Sequence, residues 1–312
     1  QARTGTCLPV RFSAASGGDI IKQELSFWVV GGDMRQAKLA QLLAEDGHTV
    51  HLYALHADPP DDHPGLIHTD RLDYIGKADC VILPLPVSGE PGMLSAPFSA
   101  EPQPLEPILD RLSPSQFLCG GRLDPELMAM VQARGLTVRD YFAREELAVA
   151  NAVPTAEGAL QLAMEHLPIT IHGARVLVLG FGRVGRLTAQ RFAALGARVS
   201  VAARKYEQLA WAQAMGFGTE HLEQLAGWLC SYNLVINTVP AQVLGQKELE
   251  DLRRDCLVLD LASKPGGVDL AAAGELGLTV IWALSLPGKV APVTAGAAIK
   301  TTIYNMLHEL GR

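Results

Sequence analysis

The first half of the chain opens with an apolar run that is followed by a helical pattern and a second apolar run. Residues 27–30 are apolar and end at Gly31 and Gly32, after which apolar residues recur at helical spacing as far as Gly47. Residues 49–55 then form another mostly apolar run. This order is typical of a β-strand, an amphipathic α-helix and a second, parallel β-strand.

The same order returns in the second half. Residues 175–179 have a strand pattern that ends at Gly180, a helical pattern covers about 184–195, and Gly196 precedes a further strand pattern over 199–203. The two glycines that bound the helix are equally far apart in both halves. A repeated unit of this kind predicts two related α/β domains rather than one long sheet.

Further elements complete both units. The remaining patterns predict strands at 80–83, 234–237, 256–260 and 278–282, a long helix at 147–167, and a helix at 294–310 with Thr294 as its N-cap. We therefore predict the α/β fold class, with two Rossmann-like, doubly wound parallel-sheet domains and a cleft between them.

The chain divides accordingly. Residues 25–150 form the predicted N-terminal domain on the substrate side, and residues 151–293 form the predicted nucleotide-binding domain. The helix at 294–310 is expected to pack back onto the first domain. Residues 1–24 are polar and lack the apolar segment of a secretory signal, so we expect them to be an extension, disordered or added for expression.

Composition narrows the class of protein. The 312 residues are enough for two domains, and 48% hydrophobic against 19% charged residues exclude a disordered chain. A net charge of −7 disfavours a nucleic-acid partner, and the lack of any run of about 18 apolar residues disfavours a membrane. The five cysteines are scattered without a C-x-x-C pair, which predicts reduced thiols in a cytoplasmic protein and no metal site.

A G-x-G-x-x-G motif follows the strand at 175–179 and opens a predicted helix, which is the context that a dinucleotide-binding fingerprint requires. In that fingerprint the glycines permit a tight turn, backbone approach to a pyrophosphate, and close packing of helix on strand. The helix N-terminus adds unpaired N–H donors. The alternative is a tight turn without a ligand. The predicted cofactor-binding turn consists of Gly180, Phe181, Gly182, Arg183, Val184 and Gly185.

The end of the next strand favours NADP over NAD. NAD-binding domains usually place an acidic residue there to hold the ribose 2′-hydroxyl. Here the strand ends in Arg204 and Lys205, which offer two cations where a 2′-phosphate would lie. The alternative is a pair of solvated bases on a loop.

The first glycine turn departs from the fingerprint. Asp33 stands where the second glycine would be, and its carboxylate would repel a pyrophosphate, so this copy is not expected to hold a dinucleotide. The helix N-terminus and Arg35 would then face a substrate carboxylate. The alternative is a solvated Arg35 beside a structural N-cap at Asp33.

Loops at the carboxyl ends of the later strands, predicted at 237–240, 260–267 and 284–292, complete the predicted site, because this rim faces the nicotinamide in doubly wound sheets. Thr238 and Pro240 are predicted to contact the cofactor. Lys264 and Lys289 would bring positive charge to a substrate, or are solvated bases. Residues 84–107 contain seven prolines, so they cannot form a regular helix; they are predicted to be a surface loop or a lip of the cleft.

Several stretches together resemble the A subunits of dipicolinate synthase from endospore-forming bacteria, over residues of about 27–310. The G-x-G-x-x-G motif is common to many dehydrogenases, whereas the G-G-D-x-R-Q and L-P-G-K-V-A-P segments are more specific in combination. The matching stretches are 30–36, 150–159, 180–185, 237–240 and 286–296.

The resemblance implies an NADP-dependent oxidation of a dihydrodipicolinate or hydroxy-tetrahydrodipicolinate precursor to dipicolinate, in the mother cell of a sporulating bacterium. It further implies that the partner is a flavoprotein-like B subunit. We also expect a homo-oligomer. A dicarboxylate needs two anion-binding groups. The predicted substrate-binding residues are Arg35, Lys289, Thr155 and Lys264; no residue is assigned as the catalytic acid–base group.

Two other functions stay open at this point. Two-domain dehydrogenases of 2-hydroxy acids or amino acids share the architecture, so the fold cannot exclude them. They usually carry a catalytic histidine or an Arg–Glu–His set on the rim, and no such set is evident in this sequence. The other alternative is a non-catalytic protein that binds NADP within a larger complex.

Overall fold

The computed structural model describes residues 24–56 and 63–311. The predicted extension, including Cys7, lies outside the described residues except for Glu24. The first domain contains the strands β1 (Ser26–Val30), β2 (Thr49–Tyr53), β3 (Leu66–His68), β4 (Cys80–Ile82), β5 (Ser88–Glu90), β6 (Met93–Leu94), β7 (Phe117–Gly120) and β8 (Val138–Asp140). The second domain contains β9 (Arg175–Leu179), β10 (Arg198–Ala203), β11 (Gly218–His221), β12 (Leu234–Asn237), β13 (Leu257–Asp260) and β14 (Thr279–Trp282).

Helices cover both sheets and connect them. They are α1 (Met34–Glu45), α2 (Leu105–Leu109), α3 (Pro125–Ala133), α4 (Glu145–His166), α5 (Arg183–Ala194), α6 (Tyr206–Ala214), α7 (Gln246–Glu250), α8 (Leu270–Glu275), α9 (Leu286–Val290) and α10 (Pro292–Glu309). Among the described residues, none of these helices has the length and apolarity to cross a membrane.

Both domains contain a six-stranded sheet of the same topology. The strand orders are β3-β2-β1-β4-β7-β8 and β11-β10-β9-β12-β13-β14, and every pair within them is parallel. The order reverses direction beside β1 and beside β9, which opens a crevice at the carboxyl ends of those strands. The predicted fold class, with two doubly wound domains, is confirmed.

The C-terminal helix α10 packs against α1 of the first domain. Ile299, Ile303 and Leu307 belong to the first domain's apolar core. At Gly296 the two helices approach so closely that a Cβ atom would lie 2.9 Å from the backbone of α1. Lys300 Nζ and Tyr304 OH both donate to Asp46 Oδ2, at 2.6 and 2.8 Å. The helix that follows the second domain therefore contributes to the core of the first.

The long helix α4 connects the two cores. Leu147 near its start is buried in the first core, whereas Ala159 and Ala163 are buried in the second. The predicted boundary between residues 150 and 151 falls inside this helix, and the boundary between 293 and 294 falls inside α10. Both boundaries stay predictions.

Three local predictions need correction or refinement. Thr294 is not an N-cap: α10 starts at Pro292 and its N-cap is Ala291, since Pro292 has the fixed φ that suits a first turn. The segment 284–292 is not all loop, because it contains α9. The proline-rich segment holds the β5–β6 hairpin, and only its last residues enter a helix, α2.

No disulfide bond joins the cysteines that the structure describes. Cys80, Cys119 and Cys256 are buried and Cys230 is exposed. Burial raises the pKa of the Cys256 thiol to about 12, so this side chain packs as a small apolar group.

Candidate functional site

The glycine turn between β9 and α5 has the geometry of a phosphate-binding loop. Gly180 has a φ of +90°, which a side chain would strain. A Cβ atom on Gly185 would overlap the Gly180 carbonyl oxygen, so α5 can approach β9 only with glycine there. Gly182 is the N-cap of α5, and since it has no side chain it leaves the first N–H groups of the helix uncapped. Apart from its chain neighbours, no described residue would place a heavy atom within 4 Å of a Cβ built on Gly182, so open space faces the helix N-terminus.

This turn fits a pyridine nucleotide. The open space lies where backbone N–H groups and the positive end of a twelve-residue helix face outwards. Thr238 Oγ1 donates to Leu179 O at 2.8 Å and lies 2.6 Å from the Cβ position of Gly180, which closes one side of the turn. Pro240 is exposed beyond Thr238 on the same loop.

The remaining residues of the turn differ in burial and in their contacts. The Phe181 side chain is fully buried and packs edge-on against Phe217 at 6.1 Å, so only its backbone can face a ligand. Arg183 is exposed and its Nη1 donates to Glu145 Oε2 at 2.8 Å. Val184 is half-buried in the first turn of α5.

The basic pair after β10 is exposed on the same rim. Lys205 Nζ lies 3.7 Å from Glu207 Oε1, whereas Arg204 makes no ion pair with any described residue. His221 Nε2 lies 3.0 Å from Arg204 O and His221 Nδ1 accepts from Glu223 N–H, so His221 is a donor to the Arg204 carbonyl. The Tyr206 side chain is 79% exposed and its ring lies 5.5 Å from that of His221. Sequence reasoning missed Tyr206 and His221; an aromatic residue directly after the basic pair was the available signal for Tyr206.

The first glycine turn is filled by its own side chains. Asp33 is the N-cap of α1 and accepts from Arg35 N–H at 2.9 Å. A Cβ atom on Gly32, whose φ is +101°, would lie 2.6 Å from Gln36 Cγ. Asp33 holds the N-cap position in α1 that Gly182 holds in α5, so a carboxylate stands where the second turn is open, and this difference supports the prediction that the first copy holds no dinucleotide.

Arg35 is buried rather than solvated, with 7% of its surface exposed. Its Nε donates to Asp33 Oδ1 at 2.9 Å, and its Nη2 donates to Asp33 Oδ2 at 2.7 Å and to Leu85 O at 2.6 Å. Nη1 makes no hydrogen bond with the described residues. The alternative of a solvated arginine is wrong, and Arg35 has only one nitrogen left for a ligand.

The first turn meets the α9 segment in the cleft. A Cβ atom on Gly288 would lie 3.0 Å from Arg35 Nε, so the glycine lets α9 pass across the guanidinium. Lys289 follows directly and is exposed. The structure thus brings together two segments that are more than 250 residues apart in the sequence.

A buried hydroxyl and amide lie beneath the first turn. Tyr141 OH donates to Leu83 O at 2.9 Å and accepts from Gln36 Nε2 at 3.4 Å. Burial raises the pKa of Tyr141 well above its usual value, so the hydroxyl stays protonated and remains a donor. Gln36 Oε1 is buried without a partner among the described residues.

The carboxylate of Asp260 joins two rim loops of the second domain. Asp260 and Asn237 are direct partners at the ends of β13 and β12. Asp260 is 1% exposed; its Oδ1 accepts from Asn237 Nδ2 at 2.8 Å and from Ala262 N–H at 3.0 Å, and its Oδ2 accepts from Gly267 N–H at 2.7 Å. Trp282 Nε1 donates to Ala262 O at 2.9 Å, which connects the end of β14 to the loop after β13. The rim that faces the predicted nicotinamide site is therefore fixed by one buried carboxylate, which sequence reasoning missed.

The other predicted substrate residues differ in the contacts that their side chains can still make. Lys264 and Lys289 are exposed, and neither forms an ion pair within the described part of the chain. Thr155 Oγ1 donates to Asn151 O at 2.7 Å on α4, so its hydroxyl oxygen can only accept from a ligand. The described residues contain no group of three or more His, Cys, Asp or Glu side chains that could hold a metal ion.

Fold and glycine turn together define the class of protein. Two doubly wound domains with one open phosphate-binding turn are those of a pyridine-nucleotide-dependent oxidoreductase of the dehydrogenase type. Residues 146–262 match the family described as D-isomer specific 2-hydroxyacid dehydrogenase, NAD binding domain. Residues 26–142 match the N-terminal domain of the dipicolinate synthase A subunit.

Individual relatives define the family. The chain is 34% identical over 291 residues to the A subunit of dipicolinate synthase from Bacillus subtilis, covering 92% of this chain and 97% of that protein. It therefore belongs to the family of dipicolinate synthase A subunits. The crystal structure of that B. subtilis protein superposes with a TM-score of 0.82 and covers 93% of this chain and 97% of that chain. The A subunit from Bacillus halodurans gives 0.81 at 33% identity, with 92% and 97% covered.

A more distant structure shares the fold alone. The transhydrogenase from Sinorhizobium meliloti superposes with a TM-score of 0.69 at 15% identity and covers 91% of this chain and 94% of that chain. The two-domain architecture is therefore shared well beyond the family.

Proposed function

We propose that this chain catalyses the NADP-dependent oxidation of a dihydrodipicolinate or hydroxy-tetrahydrodipicolinate precursor to dipicolinate during sporulation. The observation that carries the proposal is the 34% identity, over 92% of the chain, with a protein named for its place in dipicolinate synthase. That name also supports a partner, the second component of the synthase. The open turn at Gly182 and the cations in the cleft support a nucleotide and a dicarboxylate as the two ligands.

The second domain would hold the nucleotide by its phosphates. Backbone N–H groups of the turn from Gly180 to Gly185 and the N-terminus of α5 would bind the pyrophosphate. Arg204 would pair with the 2′-phosphate, and the bond from His221 to the Arg204 carbonyl fixes the backbone from which this guanidinium extends. When bound, NADP⁺ supplies the hydride acceptor.

The cleft would hold the dicarboxylate substrate. Lys289 is exposed and free to pair with one carboxylate, while Nη1 of Arg35 and the N-terminus of α1 would face the other. Asp33 holds the Arg35 guanidinium by two nitrogens, so the remaining nitrogen has a fixed direction. Lys264 and Thr155 are further candidates for the same ligand. These residues would orient the ring against the nicotinamide.

An activity assay with this chain by itself and together with the B subunit tests the proposed reaction. We expect NADPH absorbance and pyridine-dicarboxylate absorbance to rise together when the dihydrodipicolinate or hydroxy-tetrahydrodipicolinate precursor is supplied with NADP⁺. Turnover of 2-hydroxy acids or amino acids without that precursor would identify a different dehydrogenase. Cofactor binding without turnover under both conditions would identify a non-catalytic role.

Arg204→Asp should weaken NADPH binding by about 10- to 100-fold and leave NADH binding nearly unchanged. The substitution replaces a cation beside the 2′-phosphate with an anion, and one charge-assisted contact contributes about 1.5–3 kcal/mol. Titration calorimetry with both nucleotides measures the difference. Arg254→Asp, at an exposed arginine before β13, is the matched control and should change neither affinity. Equal wild-type affinities for NADPH and NADH would contradict the proposed preference.

Lys289→Ala should raise the KM for the dicarboxylate about tenfold without changing the affinity for NADPH. The side chain is exposed and unpaired within the described residues, so its removal should cost the fold little. Arg35→Lys is the companion variant, because it keeps the charge and loses the planar pairing with Asp33. Steady-state kinetics give KM and kcat separately. Wild-type kinetics in both variants would place the substrate elsewhere.

A further inference from the structure

A cavity of about 410 Å³ lies at the amino-terminal ends of the strands in the second sheet, opposite the ends that carry the glycine turn. It lies at the start of β9 and β10, and Phe217 and Met215 supply apolar walls. Arg175 begins β9 and Gly180 follows its end, so at about 3.3 Å per residue the cavity is about 16 Å from the phosphate-binding turn. It is therefore separate from the proposed nucleotide and substrate sites.

Two arginines stand side by side at this cavity. Arg175 and Arg198 are direct partners in the parallel pairing of β9 with β10, and both line the cavity. Neighbouring strands are about 4.8 Å apart and paired residues point to the same face, so two permanently charged side chains leave the sheet from adjacent positions. Neither guanidinium forms an ion pair with a carboxylate of the described residues. Like charges opposite each other on adjacent strands repel, and a bound anion would relieve that repulsion.

Hydroxyl groups and apolar surface complete the lining. Ser231, Ser200 and Tyr232 contribute to the wall, and the last two are in hydrogen-bonding contact. Burial raises the pKa of Tyr232, so its hydroxyl stays protonated. Glu220 is the acidic residue that also acts on the pKa of Tyr232, but it makes no ion pair with either arginine. Two cations, hydroxyl donors and an apolar wall suit an anion that carries a ring or a short carbon chain.

We propose that this cavity is a second binding site, for a small organic dianion. The two guanidinium groups pair with its acidic oxygens, since planar forks match carboxylate and phosphate geometry. Phe217 and Met215 contact its carbon body. A dicarboxylate and a phosphate monoester share this chemistry, and their relative affinities distinguish them.

Titration calorimetry on the full chain tests the site with three probes: benzene-1,3-dicarboxylate, phenyl phosphate and, as a monoanion, benzoate. We expect saturable binding of one of the dianions and much weaker binding of benzoate. The double variant Arg175→Gln/Arg198→Gln should weaken the dianion at least about 100-fold, because two charge-assisted contacts are lost. The dianion that binds more tightly identifies the ligand as a dicarboxylate or a phosphate ester.

Two further variants keep the result specific. Because the proposed cleft site would also bind a dicarboxylate, the same titrations are repeated in Lys289→Ala, in which binding at this cavity should persist. Arg254→Gln removes an exposed arginine outside the cavity and should change nothing. NADPH affinity of the double variant should equal that of the wild type, which checks that the second domain is folded. The proposal is overturned by absence of saturable dianion binding, by unchanged binding in the double variant, or by an equal loss in Arg254→Gln.

Discussion

Gly182→Val should reduce the affinity for the nucleotide at least about 100-fold, or by about 2.7 kcal/mol, while leaving stability within about 0.5 kcal/mol of the wild type. Gly182 has an ordinary φ of −79°, and apart from its chain neighbours no described residue has a heavy atom within 4 Å of the Cβ position. The branched side chain of valine would therefore extend into the space that the pyrophosphate needs. Cofactor fluorescence gives the affinity and urea unfolding gives the stability.

Gly274→Val is the matched control for this substitution. Gly274 lies in α8, outside the glycine turn, and also has open space at its Cβ position. Its replacement should leave nucleotide affinity unchanged. Gly32→Val would be a poorer control for stability, because Gly32 has a φ of +101° and its Cβ position lies 2.6 Å from Gln36 Cγ. Wild-type nucleotide affinity in Gly182→Val would mean that this turn is not the binding site.

Asp260→Ala should destabilise the protein by roughly 3–5 kcal/mol and impair turnover even where the second domain remains folded. Three buried donors would lose their acceptor, at about 1–3 kcal/mol each. The loops after β12 and β13 would also lose the group that joins them. Urea unfolding followed by tryptophan fluorescence measures the stability. Steady-state kinetics without denaturant show whether turnover is impaired while the protein is folded.

Asp255→Ala provides the comparison for Asp260. Asp255 lies just before β13, is exposed, and pairs with Arg253. Water screens an exposed ion pair and leaves it little net effect on stability, so this variant should remain close to wild type. Equal stability of the two alanine variants would refute the role given to Asp260.

Local patterns predicted the elements around the glycine turn of the second domain. β9, α5 and β10 lie within one residue of their predicted bounds, because glycine punctuation and apolar spacing act over a few residues. The same holds for the roles of Gly180 and Gly185, which depend on backbone geometry inside one turn. The resemblance to the dipicolinate synthase A subunits also came from contiguous motifs and is confirmed by the relatives.

The state of the charged and polar side chains was decided by tertiary structure. Arg35 is buried because Leu85, fifty residues later, brings a carbonyl to its guanidinium, and because Gly288 lets α9 cross it. Asp260 is buried because two strand ends meet. Such contacts join residues distant in sequence, and no periodicity encodes them.

The sequence alone determined where the chain turns, which turn has room for a phosphate, and the family to which the motifs belong. These properties follow from backbone conformation and local spacing, which each short segment carries within itself. Tertiary structure alone decided which cations remain free for a ligand, since that depends on whether the fold places an acceptor within hydrogen-bonding distance of them. Arg35 donates hydrogen bonds to Asp33 and to the Leu85 carbonyl, whereas Lys289, Arg175 and Arg198 form no ion pair with a described carboxylate.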